Sequence, residues 1–467
     1  MLMLVGSKPI CEAFLGSISG AHAKTHDHRL NGKNRGFTFL NRSGIVPNMS
    51  SDAESDRSFA ELASALAILD QEQRNNQSDK NRWVKLDLRS SAEKQDSASG
   101  QSAYKAAEFS NLLKTTQQQT AYLLEPPNGS TPTSLILFLG GAVLGTYPQV
   151  AYSEFLHRLS SKTNAAVVAV PFNVGLDHLD IAKHAEKMFS KALEHIETKH
   201  KPEWKNALEI IPQYALGHSL GCKLHTLRMA AVPQSSISLR GIGFMAYNNF
   251  GFAQSVGMAR SFASQIFGVK SAEATARSSG FNMDMILDLV EQVTTFAGFE
   301  FMPGPKDTER IIEMKLASNS ELQIARKCRL FQFEDDNLDC SLQFNNCFEA
   351  KRVSEDLIGS GANELGVSEV TNIVKSIPSS IIPITRLPGT HLTPVYLNVS
   401  LKDIIKNTPP ETEEIAKQIT DFQGVSFGDQ QELDKLVDSV VHWMQYGNDM
   451  EEENGDVLAL PLAGQTS

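Results

Sequence analysis

Within Ile210-Ile211-Pro212-Gln213-Tyr214-Ala215-Leu216-Gly217-His218-Ser219-Leu220-Gly221 an apolar run ends abruptly in Gly-x-Ser-x-Gly. A helix-like segment follows through Cys222, Leu224, Leu227 and Met229. A serine between two glycines at a strand-to-helix turn has the spacing of a nucleophile elbow. Such a turn holds the serine in a strained conformation and projects its Oγ above the sheet edge. The glycines are needed because a side chain at either place would collide with the neighbouring strand or helix. The chemistry this implies is attack on a carbonyl carbon. A hydroxyl is a weak nucleophile until a base takes its proton, and the base needs a third group to hold its tautomer. Three fixed residues in five recur by chance in many chains, so the reading depends on finding the partners.

In an elbow enzyme the acid and then the base follow the serine along the chain. The strand-like Arg329-Leu330-Phe331-Gln332-Phe333 ends in Glu334-Asp335-Asp336-Asn337-Leu338-Asp339, and an acid three residues past the strand favours Asp336. Asp335 and Asp339 are alternates, and a solvated acidic turn is the plainer alternative. The last strand-like run, 380–387, leads into Pro388-Gly389-Thr390-His391-Leu392-Thr393-Pro394, which puts His391 on a loop able to reach the elbow. His218, next to the serine, is expected to pack or orient, and His178 at a helix start to serve structure or capping. Acyl transfer also needs amide donors for the oxyanion. Leu220 supplies one and the loop Leu139-Gly140-Gly141-Ala142-Val143-Leu144-Gly145 the other, from Ala142 or Val143 with Ala142 preferred. The spacing of those glycines is not that of a dinucleotide-binding loop.

These residues need elements to carry them. From about 118 to 445, short apolar strands alternate with helical patterns: 121–124, 134–139, 165–170, the run into the elbow, 241–247, 329–333 and 380–387. Almost continuously apolar strands separated by helices predict an α/β domain with a mostly parallel sheet covered on both faces. Residues 252–325 break the alternation with a helical insertion rich in Met, Phe and Ile, placed where a lid sits or where a helical excursion packs away from the site. Phe301-Met302-Pro303-Gly304-Pro305 reads as a stiff turn within it.

Outside the domain the patterns weaken. Residues 1–50 form a basic, acid-poor leader, read as a disordered tail or an organelle transit peptide. Residues 51–117 read as one amphipathic helix over 58–69 and a polar linker, and 446–467 as a disordered acidic tail. The net charge of −11 comes without a basic stripe, which argues against a nucleic-acid partner. No apolar run is long enough to span a bilayer, although peripheral membrane contact stays compatible with the composition. The five cysteines, at 11, 222, 328, 340 and 347, have neither metal-ligand spacing nor a disulfide framework, and Cys222 reads as a small core residue. No metal or cofactor is expected.

Gly140-Gly141-Ala142 with Pro148-Gln149 and Tyr152, Asp177-His178-Leu179, Gly217-His218-Ser219-Leu220-Gly221-Cys222-Lys223-Leu224-His225, Asn248-Asn249-Phe250, the 301–305 turn, Asp335-Asp336 and the Leu387–Pro394 run together resemble the DUF1350 family. The resemblance covers roughly 118–400 and implies an α/β-hydrolase fold. With the basic leader it also implies a plastid address. It implies no particular reaction. The residues themselves favour a serine hydrolase acting on a small-molecule or lipid ester. An interaction or assembly protein on the same scaffold, or an acyltransferase, is the alternative.

Overall fold

Side chains alternate between two faces along a strand, and strands apolar at every position bury both. The chain follows that rule in a computed structural model, which describes residues 82–89, 119–252, 300–349, 381–399 and 425–448 together with Leu66, Asp70, Gln254 and Ser255. Eight strands form one sheet: β1 (Trp83–Asp87), β2 (Thr120–Leu124), β3 (Ser134–Leu139), β4 (Ala165–Ala169), β5 (Gln213–His218), β6 (Leu239–Met245), β7 (Cys328–Phe333) and β8 (Ile384–Leu387). Their order across the sheet is β1-β2-β4-β3-β5-β6-β7-β8. β2 runs antiparallel to β1 and β4, and every pairing from β4 to β8 is parallel. A separate ribbon pairs β9 (Leu397–Val399) with β10 (Val425–Phe427).

Five helices matter for the site: α1 (Ser153–Thr163), α2 (His178–His195), α3 (Leu220–Ala231), α4 (Pro305–Ile311) and α5 (Gln430–Tyr446). On β3, Leu135, Leu137 and Leu139 turn to the face covered by α2 and α3, where Met188, Phe189, Leu224 and Leu227 are buried. Ile136 and Phe138 turn to the other face, which α1 and α5 cover with Phe155, Leu159, Leu436 and Trp443. The final helix seats deeply because Gly241 and Gly243 leave room for the Trp443 indole, within 2.6 and 3.1 Å of where a Cβ would stand. The Tyr214 hydroxyl donates to the Met444 carbonyl at 2.7 Å. Outside, Arg158 pairs with Asp434 at 2.6 Å and Lys162 with Asp438, which ties α1 to α5.

One sequence expectation needs correction, and one alternative is narrowed. The stretch read as a linker contains β1, whose Trp-Val-Lys-Leu-Asp alternation is short and lies among polar residues. It is nonetheless in register with β2 from Trp83 against Leu124 to Asp87 against Thr120. The end of the 252–325 insertion belongs to the body of the fold, with Ile312, Leu316, Leu322 and Ile324 in the core on the α3 face. That end is the helical excursion of the two readings, packed into the core. Of the helix expected over 58–69, Leu66 is described and is helical and buried. The leader 1–50, the insertion over 256–299 and the tail beyond 448 lie outside the described residues. No helix among the described residues is long and apolar enough to cross a membrane.

Candidate active site

β5 delivers Ser219 at the top of the sheet with φ 54° and ψ −120°, a backbone region few residues with a side chain occupy. The turn is held by the Ser219 N–H donating to the Met245 carbonyl and the Cys222 N–H donating to the Ser219 carbonyl, both at 3.0 Å. A Cβ on Gly221 would overlap the carbonyl oxygen of Leu139, and one on Gly217 would stand 2.8 Å from the Cys222 nitrogen. The flanking glycines therefore let α3 press against β3 and β5. Cys222 is fully buried beside them with its thiol donating to the Met245 carbonyl at 3.4 Å, and burial pushes its pKa up. It is a core residue.

The loop after β8 brings His391 over the elbow. Gly389 turns the chain at φ 118°, and the Gly389 carbonyl accepts from the Asp335 N–H at 2.9 Å. The Thr390 N–H donates to Thr393 Oγ1 at 2.9 Å, and that hydroxyl donates to Glu432 on α5 at 3.2 Å. His391 Nε2 lies 2.9 Å from Ser219 Oγ, and its Nδ1 lies 2.8 Å from Asp336 Oδ2. A carboxylate can only accept, so Nδ1 carries the ring proton and Nε2 is left to accept from the serine hydroxyl. The Asp336 side chain is wholly buried and the His391 side chain 8% exposed. The remaining Asp336 oxygen, Oδ1, accepts from the Leu338 N–H at 2.8 Å.

The other two carboxylates of this turn sit apart from the imidazole contact. Asp335 is exposed and serves the loop through its N–H. Asp339 accepts from the Ser341 N–H, and desolvation pushes its pKa up to about 6 against the pull of that bond. The structure thus brings together Ser219, His391 and Asp336 and leaves the alternates out of that chain of contacts.

The loop after β3 crosses the elbow closely enough that a Cβ on Gly141 would sit 3.2 Å from Ser219 Cβ. Its next residues form a γ-turn of the rare positive-φ kind. Val143 stands at φ 60° and ψ −57°, and the Leu144 N–H reaches back to the Ala142 carbonyl at 2.6 Å. The Gly141 amide is committed to the Tyr152 hydroxyl at 2.7 Å. The Ala142 amide has no acceptor among the described residues, and Leu220, as the first residue of α3, has no intrahelical acceptor for its own. The amides of Ala142 and Leu220, the two expected oxyanion donors, thus carry no hydrogen bond among the described residues. The glycine pair serves space: a Cβ on Gly140 would come 2.5 Å from the Tyr152 ring. The positive φ falls instead on a valine.

His178 does not cap its helix; Asp177 does, accepting from the Asp180 N–H at 2.8 Å. The buried His178 ring stacks on Phe301 at 4.2 Å, and burial, with a smaller push from Lys223, lowers its pKa to about 3. Lys223, one turn into α3, is buried and donates to the Pro303 carbonyl at 3.1 Å. Burial lowers its pKa to about 8, opposed by Glu300. No local spacing pointed to Lys223 or to the Tyr152 hydroxyl. Among the described residues no group of three or more His, Cys, Asp and Glu side chains is placed to hold a metal ion.

Strand order, the reversed β2 and the tight turn from β5 into α3 at Ser219 define an α/β-hydrolase fold. The chain belongs to the DUF1350 family, described as "Protein of unknown function", whose model matches residues 118–362. No curated protein matches the chain. Among solved structures it is similar to carboxyl esterase 2 from the mycorrhizal fungus Tuber melanosporum, at 14% identity over 64% of this chain and 78% of that one, with a TM-score of 0.33. A thermostable esterase from Pseudomonas putida is 13% identical over 76% of this chain and 87% of its own, TM-score 0.36. An esterase from Pyrobaculum calidifontis is 9% identical over 85% and 96% respectively, also at TM-score 0.36.

Proposed function

We propose that the protein is a serine hydrolase of the esterase or lipase type, acting on a small-molecule or lipid ester. The observation that supports this reading is the unbroken contact from Ser219 Oγ through both ring nitrogens of His391 to Asp336, at 2.9 and 2.8 Å. His391 Nε2 takes the hydroxyl proton as Oγ bonds to the ester carbonyl carbon. The amides of Leu220 and Ala142 hold the oxygen that becomes negative. Collapse of the adduct breaks the bond to the leaving alkoxide, which receives the proton from His391. Water then attacks the acyl-serine by the same route in reverse, releasing the acid and restoring Ser219. Asp336 keeps the imidazole in the productive tautomer and stabilises its cation.

Covalent labelling by a fluorophosphonate tests this directly, with mass spectrometry locating the adduct. The expected result is stoichiometric labelling at Ser219, abolished in Ser219→Ala. An unlabelled wild type, or label retained by the variant, sinks the proposal. Asp336→Asn should lower kcat on a chromogenic ester about 10⁴-fold by presenting the wrong tautomer. Asp339→Asn, outside the contact chain, should stay within a few-fold of wild type.

A further inference from the structure

His218 is the elbow residue the proposed reaction does not use, yet it is among the most buried polar groups of the described residues. Its Nε2 lies 2.8 Å from the backbone carbonyl of His391, and its Nδ1 lies 2.8 Å from the Tyr152 hydroxyl. That hydroxyl in turn lies 2.7 Å from the Gly141 N–H. A carbonyl only accepts, so Nε2 carries the proton. In a neutral ring Nδ1 then accepts, and the tyrosine hydroxyl donates to it while accepting from Gly141. One assignment of protons satisfies all three contacts. Protonating the ring would turn Nδ1 into a second donor facing the tyrosine oxygen, with the hydroxyl proton left without an acceptor. Complete burial, with the nearby His391 ring, lowers the His218 pKa to about 3, while the bond to the His391 carbonyl and, less, Asp336 pull the other way.

The three contacts join the end of one strand to the loops that follow two others. Gly141 precedes Ala142 in the loop after β3, His218 ends β5 one residue before Ser219, and the His391 carbonyl belongs to the loop after β8. Tyr152 packs edge-on to Phe138 at 4.9 Å and to His218 at 5.6 Å, so the hydroxyl is fixed by its ring. We infer that Tyr152 and His218 are positioning residues: a neutral hydrogen-bonded strut that sets the oxyanion loop and the His391 loop at fixed distances from Ser219. This rests on the serine-hydrolase reading and adds to it how donor, nucleophile and base are held in one frame. The strut touches no reacting atom. It acts on the backbone on either side, through the amide next to Ala142 and the carbonyl of His391 itself. Misplacement of reacting groups by an ångström costs on the order of 100-fold in rate.

The test uses the full chain as wild type, Tyr152→Phe, His218→Gln and His218→Leu. It measures the fluorophosphonate labelling rate, kcat and KM on a p-nitrophenyl ester from pH 6 to 9, and Tm. Tyr152→Phe keeps the ring and removes the central oxygen, so kcat and labelling rate should fall 10- to 100-fold with KM within twofold. His218→Gln offers an amide that can donate to the His391 carbonyl and accept from Tyr152, and should recover at least tenfold over His218→Leu. Selective ¹⁵N-histidine labelling should show His218 as the neutral Nε2–H tautomer across pH 5–9. Tyr152→Phe that labels at the wild-type rate well below a lowered Tm overturns the strut and leaves the hydrolase reading intact. So does a His218 that titrates near its ordinary value. Wild type that never labels overturns the reading first and the strut's catalytic role with it.

Discussion

Two turns meet above the sheet, and each holds a non-glycine residue at positive φ: Ser219 at 54° in the elbow and Val143 at 60° in the loop after β3. The elbow distributes its steric demand onto neighbours, since Gly217 and Gly221 give up side chains so that the serine can stand where it does. The γ-turn has no such help: a β-branched residue sits in a region it avoids, held by the short Leu144-to-Ala142 bond and by Gly141 tied to Tyr152. Residues held this way store about 1–3 kcal/mol, which the surrounding packing has to exceed. One turn is rigid because nothing else fits, the other because it is pinned at both ends.

Substitutions should separate the two. The largest effect is expected at Gly221→Ala, where the new methyl overlaps the Leu139 carbonyl and α3 must lift from β3. A loss of more than about 4 kcal/mol is expected, read as loss of soluble folded protein or a collapsed melting transition. A well-folded variant with a near-native Tm would show that the elbow has slack.

An intermediate effect is expected from acid, because the elbow carries a buried imidazole. Burial lowers the pKa of His218 and His178 to about 3 and that of His225 well below its ordinary value. The unfolded chain binds these protons first. Their stabilisation is therefore complete above about pH 6.5 and lost as pH falls toward 3, at about 1.4 kcal/mol per pH unit for each ring. Asp339, pushed up to about 6, works in the opposite direction below that pH. Urea midpoints should hold nearly level between pH 7.5 and 6.5 and fall as the pH drops from 6.5 to 4.5, where His218→Gln should flatten the slope by about one proton. An unchanged slope in that variant would mean that His218 titrates normally.

The smallest effect is expected at Val143→Gly. Relief of strain should offset most of the glycine's added chain entropy and the lost half-buried side chain. Stability should then stay within about 1 kcal/mol of wild type while kcat drops a few-fold. A cost above about 2 kcal/mol in urea unfolding would show the turn to be unstrained.

The contrast between the turns also explains what could be read from sequence. Gly217, Ser219 and Gly221 are close in the chain, and their demand on space leaves a spacing. Asp336 and His391 were legible because chain order and the ends of β7 and β8 restrict where partners stand. Tyr152 and His218 meet across 66 residues through one hydroxyl, which leaves no periodicity to detect. Val143 breaks a local preference outright, so local preference could not reveal it. β1 was hidden by length, five residues whose pairing is decided by β2. The core-facing end of the insertion was hidden by ambiguity, because a buried helix face and a lid's inner face have the same spacing.

The seat of α5 has a consequence for the timing of synthesis. Glu432 on that helix accepts from Thr393 in the His391 loop, and Trp443 fills the hollow over Gly241 and Gly243. His391 leaves the ribosome 172 residues after Ser219, a lag on the order of 10–30 s at ordinary elongation rates. Under the serine-hydrolase proposal Ser219 has no base through that interval, and the Thr393–Glu432 contact that braces the His391 loop waits until α5 itself is synthesised.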